Sequence, residues 1–70
     1  MNEEALDTSI RKFLRHFGVT AQRELEQAVR RGLADGTLRG DEKLPVRATL
    51  ALEGLVTDFR IDGELTLSER

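Results

Sequence analysis

Cysteine is missing from this chain altogether, which excludes disulfide staples, thiolate metal sites and thiol nucleophiles. That absence fits a reducing compartment. Histidine occurs once, as His16 on the margin of a polar helix face, and one imidazole without neighbouring ligands makes a poor metal site. No Gly-Lys-Ser/Thr or Gly-x-Gly is present, so both phosphate-loop motifs are excluded. Neither Ser9 nor Ser68 stands in a Gly-x-Ser-x-Gly setting, so there is no nucleophile elbow. Asp35 to Gly40 begins like a calcium loop, but Arg39 takes the fifth position and Val46 the twelfth, where oxygen ligands are required. Uncharged runs are too short to cross a bilayer. The opening Met1-Asn2-Glu3-Glu4 has the wrong charge for a secretory leader. The expectation is a cytoplasmic, non-enzymatic protein with no cofactor, no metal and no membrane partner.

What is present is a chain of 70 residues, expected to form one small domain near the lower limit for a single core. Its net charge of −2 is unevenly spread. Residues 1–9 hold Glu3, Glu4 and Asp7, for −3. Residues 10–31 hold Arg11, Lys12, Arg15, Arg23, Arg30 and Arg31 against Glu24 and Glu26, for +4, and the remainder sums to −3. A basic segment followed by an acidic one is the electrostatic feature that points towards a partner.

Leu6, Ile10, Phe13, Leu14 and Phe17 recur at helical spacing, with Asn2 as N-cap and Glu3 and Glu4 at the positive end of the dipole. Asp7 and Arg11 stand i,i+4 and suit a weak ion pair. Gly18-Val19-Thr20 reads as a corner: Gly18 suits a left-handed helix ending, and the Thr20 hydroxyl suits a new cap. A second helix is then expected from Ala21 to Ala34, with Ala21, Leu25, Ala28, Val29, Gly32 and Leu33 inward and Gly36 as its left-handed ending. Phe13 and Phe17 are expected to be buried against its small-residue face. Glu26 and Arg30 should pair on the outside.

Beyond the polar Thr37 to Lys43 stretch, the period changes to two. Val46, Ala48, Leu50 and Leu52 alternate with Arg47, Thr49, Ala51 and Glu53, the pattern of a half-buried strand. Pro45 belongs at its beginning or on an edge. After a reversal at Gly54, Phe59, Ile61, Gly63, Leu65 and Leu67 continue one apolar phase. That unbroken phase argues against a turn at Asp62-Gly63 and for one strand with a bulge or close approach at the glycine. Two registers satisfy parity: Leu52 opposite Leu55, or Leu50 opposite Phe59 with Leu44 opposite Leu65. The second pairs the larger side chains better. The predicted fold class is α+β, in the order ααββ, with a helical hairpin on one face of an antiparallel β-hairpin. A two-stranded sheet leaves open edges, so Thr37 to Arg39 is a possible third strand and a second copy of the chain a possible sheet partner.

Two readings of function follow. The first is protein–protein interaction, either with an unknown protein or with a second copy. The alternative is weak nucleic-acid binding by a basic helical corner resembling a helix-turn-helix, using Arg11, Lys12, Arg15, Arg23, Gln27, Arg30 and Arg31. Glu24 and Glu26, on the first turns of the would-be reading helix, would repel phosphates, so nucleic acid is the weaker expectation. Asp58, Asp62 and Glu64 share an outward strand face with Arg60, and nothing in the pattern desolvates them for acid–base work.

Ser9-Ile10-Arg11-Lys12-Phe13-Leu14, Gly18-Val19-Thr20, Gln22-Arg23-Glu24, Leu44-Pro45 and Gly63-Glu64 together resemble a family of uncharacterised bacterial proteins about this long, a domain of unknown function. The resemblance covers nearly the whole chain, and the opening block is its most specific part. That family often has proline where this chain has Glu53, a departure that bears on loop geometry. The resemblance implies a bacterial source and a stand-alone small domain. It brings no activity, cofactor or catalytic residue.

Overall fold

The computed structural model describes residues 1–68 as two compact units, Met1–Thr37 and a second beginning at Leu38. The first unit is one helix, α1, running from Glu3 to Asp35. Its ends form where the side chains allow. Asn2 adopts an extended conformation and its side-chain oxygen accepts from the Ala5 amide at 3.0 Å. Glu3 and Glu4 occupy the first turn, where the dipole favours negative charge. Gly36 closes the helix with φ of 84°, the left-handed conformation that costs glycine little.

The expected corner at Gly18-Val19-Thr20 does not form, and the expected second helix from Ala21 to Ala34 is the C-terminal half of α1. Gly18 has no positive φ. A glycine inside a helix costs about 1 kcal/mol relative to alanine, too little to break a helix of 33 residues that holds no proline. Apolar phase also runs straight through: Phe17, Ala21 and Leu25 follow one another at i,i+4. Continuity of the stripe outweighs the local stop signal. Without a second helix there is nothing of that kind to cover the aromatics, so Phe13 and Phe17 stack on each other with ring centroids 6.5 Å apart and remain 53% and 44% exposed. The fold class is α+β, but with a single helix, and the ααββ helical hairpin is absent.

The second unit is an antiparallel hairpin of β1 (Lys43–Leu52) and β2 (Val56–Thr66). Its register sets Leu44 opposite Leu65 and Leu50 opposite Phe59, the pairing that joins the larger side chains. Leu55 donates its amide to the Leu52 carbonyl at 2.9 Å, closing a turn in which Gly54 takes φ of 79°. Gly63 stands in β2 opposite Val46 with no turn and no positive φ. The ladder's irregularity lies between Leu50 and Leu52 instead, next to the turn. Thr37 to Arg39 is not a strand, and among the described residues the sheet has two strands. Leu44, Val46 and Ala48 are half-buried along β1, whereas Phe59 and Ile61 on β2 are 52% and 58% exposed. No described residue is fully buried.

Candidate functional site

Three groups of side chains hold whatever chemistry the chain has: the cations of α1, the carboxylates around the hairpin, and the apolar stripe of α1. The cations come first. Arg11, Lys12, Arg15, Arg23, Gln27, Arg30 and Arg31 all lie on α1 and are exposed. At 100° per residue they spread over roughly 200° of the circumference. Arg11 is paired with Asp7 at 3.2 Å and Arg30 with Glu26 at 3.7 Å, while Gln22 donates to the Glu26 carboxylate at 2.9 Å. The helix-turn-helix geometry that would have converged them is gone, because α1 is unbroken. These side chains are gathered on one element but not on one face. Any nucleic-acid reading then rests on charge alone.

The carboxylates are occupied in structural work. Glu42 accepts the amides of Arg39 at 2.8 Å and Gly40 at 2.9 Å, and its pKa is lowered by those two hydrogen bonds, with a smaller contribution from the Arg39 charge. Asp35 accepts the Thr37 amide at 2.9 Å, and hydrogen bonds from Thr37, side chain first and amide second, hold its pKa down. Asp35 to Gly40 is thus a helix ending and the start of a capped loop, not a cation loop. On the outward sheet face Arg47 donates Nε to the Asp62 carboxylate at 2.7 Å, directly across the ladder. Ser9 spends its hydroxyl on the Leu6 carbonyl at 2.8 Å. Among the described residues no three His, Cys, Asp or Glu side chains converge as metal ligands. A shallow depression of about 330 Å³, lined by Pro45, Val46, Arg47, Asp62 and Gly63, brings together one ion pair and little else. Nothing here resembles the convergent polar groups of a cofactor cavity.

The third group is the most extensive. Leu6, Ile10, Phe13, Leu14 and Phe17 are large apolar side chains, each at least 44% exposed, and Ala21, Leu25, Ala28 and Gly32 continue their stripe. Sequence patterning identifies this stripe correctly but assigns it to a core. The structure presents it as surface. Glu42, by contrast, was legible only as a charge in a polar stretch; the signal for its role is a carboxylate two residues beyond Gly40, positioned to cap the loop amides. No helix among the described residues is both long enough and apolar enough to cross a membrane.

Neither the curated proteins nor the solved structures contain a match to this chain. A family model does match, over residues 1–68 and so across both units. The chain belongs to the Family of unknown function (DUF6494).

Proposed function

We propose that the protein is a non-enzymatic protein–protein interaction module whose contact surface is the apolar stripe of α1. One observation carries the reading: an apolar stripe runs along α1 from Leu6 to Gly32, and its large side chains Leu6, Ile10, Phe13, Leu14 and Phe17 are about half exposed. Monomeric proteins rarely leave contiguous apolar patches beyond a few hundred Å² uncovered. Most helical stability in proteins comes from packing such a face against something. The outer edge of β2 offers a second attachment point, since a two-stranded sheet leaves ladder groups unpaired there. A cytoplasmic setting in a bacterial cell belongs to the same reading, supported by the cysteine-free composition and the likeness to bacterial proteins. Nucleic-acid binding is not adopted, because the cations are dispersed around α1 and two of them are already paired.

Photo-crosslinking in cells tests the proposal. A crosslinking residue placed at Phe13 or Phe17 should give a discrete protein adduct, whether the captured chain is a second copy or another protein. The same residue at Lys12, on the polar side, should not. Equal adducts from both faces, or none from either, would overturn the reading.

A further inference from the structure

We infer that the partner of the α1 stripe is a second copy of this chain, with the two helices antiparallel and overlapped along their full length. This rests on the interaction reading above and names its partner. Three observations support it.

The first is volume. The midpoint of Glu3–Asp35 is residue 19, so a two-fold axis there sets residue i opposite residue 38 − i. Leu6 then faces Gly32, Ile10 faces Ala28, Phe13 faces Leu25, and Phe17 faces Ala21. The N-terminal half of the stripe is bulky and the C-terminal half is small, so each half fills the other. A parallel, in-register pair would oppose phenylalanine to phenylalanine and glycine to glycine, with overpacking at one end and voids at the other.

Charge gives the second observation. Residues 3–8 carry Glu3, Glu4 and Asp7, for −3, and lie level with residues 30–35, which carry Arg30, Arg31 and Asp35, for +1. Residues 9–16 carry Arg11, Lys12 and Arg15, for +3, and lie level with residues 22–29, which carry Arg23, Glu24 and Glu26, for −1. Both blocks meet opposite sign in the antiparallel pair. In a parallel pair both meet their own sign.

Area is the third. With large side chains of roughly 150–200 Å² each about half exposed, two helices bring together on the order of 1,000 Å² of apolar surface, the lower bound for a specific interface.

Because the chain has no cysteine, Thr8→Cys gives a single attachment point for a spin label on the polar side of α1. In the antiparallel pair Thr8 lies level with the partner's Arg30, 22 residues and so roughly 33 Å along the axis, and with both labels on outer faces the distance between them should be roughly 40 Å. A parallel pair would leave only the lateral separation across two helices, roughly 20 Å. Sedimentation of the full chain should show a dimer at micromolar concentration. Ala21→Phe should weaken it about tenfold or more by setting aromatic against aromatic. The swap Phe17→Ala with Ala21→Phe restores the original set of opposed volumes and should recover most of the affinity. A dimer with the short distance overturns the antiparallel arrangement, as does failure of the swap to rescue. A helical monomer at high micromolar concentration overturns self-pairing and points to cover by the chain's own hairpin or by another protein. If stripe positions still crosslink to another protein in that case, the interaction reading stands while this one falls.

Discussion

Along α1 each backbone hydrogen bond closes within four residues, whereas in the hairpin Leu44 must find Leu65 across 21 positions (65 minus 44). The two units therefore respond differently to a poor local residue. Gly18 sits mid-helix and the ladder continues past it, because the residues on either side already satisfy their own bonds. In the hairpin the whole register depends on one reversal, where Gly54 holds a left-handed φ. A local element averages over its sequence; a non-local one concentrates its requirements at the turn.

The largest effect should come from restoring the break that α1 lacks. Gly18→Pro removes an amide donor in mid-helix and costs about 3 kcal/mol, seen as a sharp loss of helical circular dichroism. Gly18→Ala should act the other way, raising helix stability by about 1 kcal/mol, because an added Cβ meets nothing within 4 Å. A destabilising Gly18→Ala would instead indicate a left-handed glycine and hence a corner. Next in size is Gly54→Ala, which forces an L-residue into the left-handed region at about 1–2 kcal/mol. Cross-strand contacts between Leu50 and Phe59 in nuclear magnetic resonance spectra should weaken while the helical signal stays.

The Gly18 comparison also shows how much of this molecule was legible in its residues. Both termini of α1 were, because Asn2 and Gly36 act through their own side chain or lack of one. The hairpin register was legible in part: parity left two choices, and the one that pairs the larger side chains, Leu50 with Phe59, is the one that forms. The centre of α1 was misread because Gly18 and Thr20 are local signals of modest strength. The competing signal, unbroken phase from Phe17 through Ala21 to Leu25, extends over the whole helix. The candidate surface inherited that error: with the corner removed, a stripe assigned to a core becomes exposed, and a basic corner becomes a dispersed set of cations.

Smaller effects sharpen the contrast within the second unit and at the helix end. Arg47→Ala removes the cross-strand pair with Asp62 and should cost roughly 0.2–1 kcal/mol at low salt, shrinking as salt is added. Smallest is a pH effect. Asp35 and Glu42 have lowered pKa values, so their contribution is complete above the ordinary carboxyl range near pH 4 and disappears as pH falls through the lower folded-state values. Protection of the Thr37, Arg39 and Gly40 amides, taken relative to the intrinsic exchange rate at each pH, should fall on that acid side and stay constant between neutral pH and pH 6. Protection that persists in strong acid would show that the carboxylates do not hold this loop.

The Leu52–Leu55 turn has a consequence for how quickly the protein is made. Its hydrogen bond joins residues three apart, and pairs then add outward one after another as far as the Leu67 amide on the Glu42 carbonyl. Such zipping proceeds in about 1–10 μs, and a helix the length of α1 relaxes in under about 1 μs. Zipping outward from the turn brings Leu44 to Leu65 without a blind search, so each unit assembles in far less time than the addition of one residue at about 5–20 residues per second. In the proposed pair the slow step left to the molecule is collision with the second copy, and its rate is set by concentration.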